Sequence, residues 1–277
     1  MTEVPVSRVG DDYILPTGAD DASRLDLIHA VYGPVSVRGL EAARIGECVR
    51  VADVGCGTGT VARWMAERIG PAGSVDAIDV AAEQVEVARS TPSPAGAGSI
   101  EYHVGSAYEL PLPTSAFDLV FCRLVLCHLQ DPAMAVVEMA RLLNAGGRLV
   151  LVDFDMRTIC AMPRSSEYET IVHEIVPVIQ AKLGVDYAIG VRLHELMLEA
   201  GLRTEFIATD QPVFREGPEK YLWERTWAAA LPNAVAAGAV DAAEAEALMA
   251  GAAQHTASDD VWVAAARMFA VVGRTTA

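Results

Sequence analysis

Apolar positions along the chain alternate between two rhythms. Short runs at residues 49–54, 74–80, 100–104, 117–122 and 148–153 have the length of strands, and 117–122 is apolar throughout, as in a strand buried on both faces. Between them, residues 61–69, 81–90 and 134–143 space their apolar side chains as one face of a helix. Gly and Pro punctuate the series: a glycine cluster follows Val54, a Pro/Gly/Ser stretch fills 91–99, and Gly146-Gly147 opens the fifth strand. Strand and helix in alternation predict an α/β fold, a Rossmann-like, mostly parallel sheet with right-handed crossovers and helices on both faces.

The flanks follow the helical period. Leu25, Leu27, Ile28 and Val31 place a helix over 20–32, and 38–43 continues as a second short one, so 1–46 is read as an N-terminal helical arm before a sheet domain at 47–277. Within that domain two cap insertions are expected, at about 156–190 and 217–260. The first carries a helix over 166–183. The second is rich in Ala, Glu and Leu and sets Trp223 and Trp227 at i, i+4 spacing. A helix at 192–200, stopped by Gly201, and strands at 204–213 and 267–272 complete the pattern.

Charge and cysteine content narrow the partners. Lys+Arg number 21 against 37 Asp+Glu, a net charge of -16, so the average surface repels phosphate backbones and anionic lipid; neither nucleic acid nor membrane is expected as a partner. The first twelve residues lack the basic-then-apolar layout of a secretory leader, and a cytoplasmic location is expected. Five cysteines, Cys48, Cys56, Cys122, Cys127 and Cys160, include no Cys-x-x-Cys pair, which argues against a disulfide framework and a zinc site. A homodimer is the base-rate expectation.

The chemistry concentrates where the first strand hands over to its helix, the point at which an open α/β sheet leaves a ligand crevice. There the chain reads Asp53-Val-Gly55-Cys-Gly57-Thr-Gly59, and Asp79 closes the next strand, where a carboxylate can accept from both hydroxyls of a ribose. A dinucleotide site would want its third glycine at position 60, which is Thr60. An acid before the glycines repels a pyrophosphate but suits an ammonium and a sulfonium. Together these residues point to S-adenosylmethionine.

From these motifs the chain resembles the class I S-adenosylmethionine-dependent methyltransferases, in the broad group that includes ubiquinone and menaquinone biosynthesis enzymes and natural-product tailoring enzymes. Gly105-Ser106-Ala107 with Glu109-Leu110-Pro111, Phe117-Asp118-Leu-Val and Leu143-Asn-Ala-Gly146-Gly147-Arg148-Leu carry the likeness. The resemblance implies a seven-stranded sheet with its last strand antiparallel. It implies that Gly55, Gly57 and Gly59 line the methionine and ribose moieties, that Asp79 takes the ribose hydroxyls and that Val80 faces adenine. Ser106, beside Ala107, stands where the family usually has an Asp on the adenine amino group. Arg123 falls at a position whose backbone usually touches the methionine moiety, and Arg24 in the helical arm is a candidate for the cofactor carboxylate.

Methyl transfer from a sulfonium needs no acid for its leaving group, so positioning and exclusion of water can supply most of the catalysis. A base helps a hydroxyl nucleophile. His128, past the fourth strand, is a candidate base, with packing or capping as its structural alternative. His173 on the expected cap helix is a second candidate, against ordinary surface exposure. Tyr13 in the arm could lie over the methyl group or simply pack. Trp223, Trp227, Tyr168, Tyr187, Met162 and Phe214 fall in or beside the caps, where they suit a flat or lipophilic small-molecule acceptor or form a core. The expected reaction is methylation of such a metabolite, with a non-methylating step such as cyclisation on the same scaffold as the alternative. A nicotinamide-dependent oxidoreductase and a protein methyltransferase are weaker readings. No metal is expected.

Overall fold

A computed structural model describes residues 22–276. The expected parallel sheet is formed by β1 (Arg50–Val54), β2 (Ser74–Asp79), β3 (Ser99–Val104), β4 (Phe117–Arg123) and β5 (Leu143–Asp155), side by side in the order β3-β2-β1-β4-β5. Beyond β5 lie two strands from later in the chain. β10 (Arg267–Thr275) runs antiparallel to β5, and β7 (Leu202–Asp210) pairs antiparallel to β10 at the edge. The order reverses between β1 and β4, and the crevice opens at the carboxyl ends of those two strands.

Local chemistry explains the helices that flank the sheet. α2 (Thr60–Ile69) buries Val61, Ala62, Met65 and Ala66 along one stripe. α3 (Ala82–Ser90) follows β2, and α4 (Pro132–Leu142) starts where Asp131 accepts from the Met134 N–H at 3.0 Å, with Pro132 in the first turn. α7 (Leu193–Glu199) packs on β7.

The N-terminal segment differs from expectation. Over its described part it is one helix, α1 (Ala22–Ala42), laid on β5, β10 and β7 as a layer of the core, with Leu27, Val31, Tyr32, Val35 and Leu40 buried. Pro34 does not split it, because Pro34 and Ala30, whose carbonyl loses its donor, are both exposed and water can serve that carbonyl. The first cap helix is α5 (Ser166–Thr170) and α6 (Val176–Leu183) joined through a π turn at Ile171–Ile175. The second insertion supplies α8 (Leu222–Ala236) and α9 (Ala242–Thr256). A small antiparallel sheet, β6 (Cys160–Met162), β9 (Trp262–Ala264) and β8 (Val213–Phe214), was not expected; its strands of two or three residues are too short to show a period of two. It joins the two inserted regions. Among the described residues no helix is long and apolar enough to cross a membrane.

Candidate active site

The loop after β1 is fixed from two sides. The Gly55 and Cys56 N–H groups both donate to the Ile78 carbonyl, at 2.8 and 2.9 Å, and so tie the loop to β2. Opposite, the turn after β4 comes so close that a Cβ on Gly55 would lie 2.0 Å from Cγ2 of Val125, in a backbone whose φ of 76° already favours glycine. Leu124, in that facing turn, also has a positive φ, 55°. Asp79 braces the loop from the end of β2: its Oδ2 accepts from the Gly57 N–H at 2.8 Å and its Oδ1 from the Ala81 N–H at 2.9 Å.

A cavity of about 720 Å³ opens over this loop, well within the roughly 300–1,000 Å³ usual for small-molecule sites. Asp53, Gly55, Cys56, Gly57, Asp79, Val80, Gly105 and Ala107 line one end. Asp53 is 2 % exposed, and its Oδ2 has no hydrogen-bond partner. Burial pushes its carboxyl up to about 7, with the Arg123 charge opposing that rise and Asp79 adding to it. Burial likewise raises Asp79, although its hydrogen bonds to backbone N–H groups pull the other way.

The other end is aromatic. Phe154, Tyr187, Trp223 and Trp227 line it beneath α6 and α8, with Phe154 and Trp223 edge to face at 5.8 Å and Trp223 and Trp227 at 6.4 Å. His128 lies among them, 5.9 Å from the Tyr187 ring. Burial, helped by the nearby Arg24 charge, pushes His128 down to about 4, so its imidazole is neutral at physiological pH. The Tyr32 hydroxyl and the indole N–H groups of Trp223 and Trp227 are buried without partners. Tyr168 donates to Glu224 at 2.7 Å and packs its ring on Trp227 at 4.9 Å, which ties α5 to α8 behind the chamber.

Most of the residues singled out in the sequence therefore meet around one cavity: Asp53, Gly55, Gly57, Asp79, Val80, Ala107, Arg123, Arg24 and His128. Three do not. Gly59 caps α2, and a Cβ there would meet the Tyr102 hydroxyl at 2.6 Å, so its glycine serves helix packing and not the cavity wall. Ser106 turns its hydroxyl to the Tyr108 N–H at 3.2 Å while its neighbours Gly105 and Ala107 form the wall. His173 is exposed and borders a separate cleft of about 250 Å³ with Arg157 and Arg164, because the cap helix presents its opposite face, Val176 and Ile179, to the cavity. Tyr13 lies outside the described residues.

Several lining residues escaped the sequence reading. His29 and Tyr32 share the α1 stripe of Arg24, Leu25 and Ile28, so helical spacing from Arg24 would have found them. Gln84, with a buried Oε1 lacking a partner, had no such signal. Among the described residues the side chains grouped as metal ligands are Asp76, Glu101 and His103; they lie away from the cavity, and Asp76 already holds His103 at 3.0 Å and Arg50 at 3.4 Å.

Comparison with known proteins agrees with this geometry. Residues 52–151 match a family described as a methyltransferase domain. Residues 52–151 thus carry a methyltransferase domain. It is 36 % identical over 110 residues to the demethylmenaquinone methyltransferase of Listeria monocytogenes, covering 40 % of this chain and 46 % of that one. It is 33 % identical over 204 residues to an uncharacterized 37.1 kDa protein of Streptomyces fradiae transposon TN4556, covering 71 % of this chain and 56 % of that one. The chain thus spans about half the length of these curated relatives. The likeness in fold extends further: the YcgJ protein of Bacillus subtilis superposes with a TM-score of 0.55 at 20 % identity, over 85 % of this chain and 96 % of that one. The [4+2]-cyclase SpnF superposes with a TM-score of 0.54 at 17 % identity, over 95 % and 98 %.

The cofactor of this domain family is S-adenosylmethionine, and the charged end of the cavity fits it. An ammonium answers the orphaned Asp53 oxygen, and a Cβ on Gly57 would meet nothing within 4 Å, which leaves open space above the loop.

Proposed function

We propose that the protein methylates a small, flat, largely apolar metabolite bearing a hydroxyl or comparable nucleophile. The observation that carries this reading is the continuity of one cavity from the glycine loop to the aromatic chamber, roofed by cap helices. A largely apolar chamber roofed by cap helices favours a small aromatic or lipophilic acceptor over a protein tail, and it limits the water that would compete for the methyl group.

In this reading Asp53 holds the cofactor's amino group, Asp79 its ribose hydroxyls and Val80 its adenine face. Gln84 takes the adenine contact expected of Ser106. When bound, S-adenosylmethionine supplies an electrophilic methyl group on a sulfonium sulfur. Phe154, Tyr187, Trp223 and Trp227 fix the plane of the acceptor. His128, neutral and at the chamber's inner side, accepts a hydrogen bond from the acceptor's nucleophile and orients it; with its imidazole held near 4 it stores a proton poorly, so its part is positioning more than proton removal.

The test is incubation of the purified protein with methyl-labelled S-adenosylmethionine and a panel of hydroxylated aromatic compounds, with product mass and S-adenosylhomocysteine release measured together. A labelled product in step with S-adenosylhomocysteine supports methylation. An isomerised product with no S-adenosylhomocysteine would move the assignment to a cyclisation of the kind named for SpnF.

A further inference from the structure

Arg123 is the anomaly of the cavity. It ends β4 directly beside the glycine loop and lines the cavity, yet its guanidinium makes a single long hydrogen bond, 3.4 Å to the Ser36 hydroxyl, and no ion pair within 4 Å among the described residues. Its surroundings offer little more. Asp53 attracts it without touching it, and His29, which burial and then the Arg123 charge hold below its ordinary value, offers it no counter-charge. Burial lowers Arg123 itself to about 10. A desolvated cation without a partner destabilises a fold unless an anion completes the site.

The second anomaly is its mirror image. Asp53, on the neighbouring strand β1, is a buried carboxylate with an oxygen that has no donor, and it lines the same end of the same cavity. An unpaired guanidinium and an unpaired carboxylate, close enough to influence each other and not in contact, match the two charges of an α-amino acid.

We propose that the Arg123 side chain binds the carboxylate of the methionyl moiety of S-adenosylmethionine, paired with Asp53 on its ammonium, as a clamp for the zwitterion. The inference rests on the cofactor reading above. It moves the carboxylate contact from Arg24 to Arg123: Arg24 lies within electrostatic reach of His128 at the acceptor end and already engages another group. It also gives the side chain at position 123 a task that the backbone cannot perform, since a planar fork matches a carboxylate with two hydrogen bonds.

Calorimetric titration of wild type, Arg123→Gln and Arg123→Lys with S-adenosylhomocysteine and 5′-methylthioadenosine tests the clamp. The second nucleoside lacks the amino-acid end. Arg123→Gln is expected to weaken S-adenosylhomocysteine binding on the order of 30-fold, the scale of lost hydrogen bonds to a charged group, and to leave 5′-methylthioadenosine within about twofold. Arg123→Lys, which keeps the charge and loses the fork, is expected to fall between, and it carries the test should the glutamine variant fold poorly. The ligand-free Arg123→Gln protein is expected to melt no lower than wild type, because a half-buried charge without a counter-ion has been removed. Unchanged S-adenosylhomocysteine affinity in both variants, or an equal loss for both nucleosides, overturns the proposal. Failure of wild type to bind either nucleoside overturns the cofactor reading beneath it, and that outcome is distinct because 5′-methylthioadenosine never calls on Arg123.

Discussion

The two ends of the cavity are built on opposite principles. At the glycine loop, backbone does the shaping: Gly55 sits where no side chain fits, the Gly57 N–H is held by Asp79, and the groups without a full set of partners include the charges of Asp53 and Arg123. Under the caps, side chains do the shaping: four aromatic rings meet edge-on or tilted, and the groups without partners are neutral hydroxyl and indole donors. A backbone-built site tolerates almost no substitution and recognises one constant ligand. A side-chain-built chamber can be recut residue by residue for different acceptors without disturbing the loop.

The sharpest way to break that contrast is Gly55→Val. The left-handed backbone costs a non-glycine residue about 1–2 kcal/mol, and overlap with Val125 adds about 1–3 kcal/mol of overpacking, together a sizeable part of the roughly 5–15 kcal/mol that holds a domain folded. Denaturant melts should show that loss, and calorimetry should show S-adenosylhomocysteine affinity falling more than about 100-fold, since roughly 1.4 kcal/mol is a factor of ten. Near-wild-type binding would mean the loop yields and is not the rigid half.

His128→Ala probes the other half. Loss of a positioned hydrogen-bond acceptor should lower kcat by about 10- to 100-fold while S-adenosylhomocysteine affinity stays within about twofold. Because the imidazole sits near 4, the wild-type kcat profile should carry no step from His128 between pH 5 and 8. A parallel fall in cofactor affinity would erase the division between the ends.

The charged end should also announce itself in pH. Asp53 is held near 7 in the folded protein against an ordinary 3.8, so between those values the fold retains a proton that the unfolded chain has released, and its contribution to ligand-free stability falls as pH rises through that window. Binding an ammonium needs the ionised form. Cofactor affinity should therefore level off above about 7 and weaken by about tenfold per pH unit below it, with Arg123 limiting the shift and Asp79 adding to it. Asp153, held at about 7 by burial, does not line the cavity. Asp53→Asn should flatten the binding slope; a slope that survives the substitution assigns it to Asp79.

Legibility in the sequence follows the same division. Strands β1, β2, β4 and β5 are largely apolar runs beside Gly-rich turns, and Asp53, Gly55, Gly57 and Asp79 stand at spacings that backbone geometry dictates, so local pattern is enough to find them. The family resemblance puts Gly59 and Ser106 at the cofactor, but position along the chain does not show which neighbour a residue faces; Tyr102 and the Tyr108 N–H decide those cases. The chamber depends on contacts across long separations. His173 and Ile179 share one helix run, and only the packing of that helix shows that Ile179 faces inward. The missing partner of Arg123 is visible only once β1 and β4 lie side by side.

The smallest effect expected is also the most discriminating between one cooperative molecule and two separable ends. Tyr168 ties three cap helices: its hydroxyl donates to Glu224 Oε1 at 2.7 Å, lies 3.1 Å from Thr256 Oγ1, and its ring braces Trp227. Tyr168→Phe keeps the ring and leaves Glu224, itself 7 % exposed, without that donor, which should cost about 1–3 kcal/mol of stability. The ring beside Trp227 then loses its hydroxyl anchor, so KM for the acceptor should rise by a few-fold while S-adenosylhomocysteine affinity does not move. If cofactor affinity falls together with acceptor KM, strain in the cap reaches the glycine loop, and the chamber cannot be recut independently of the site it covers.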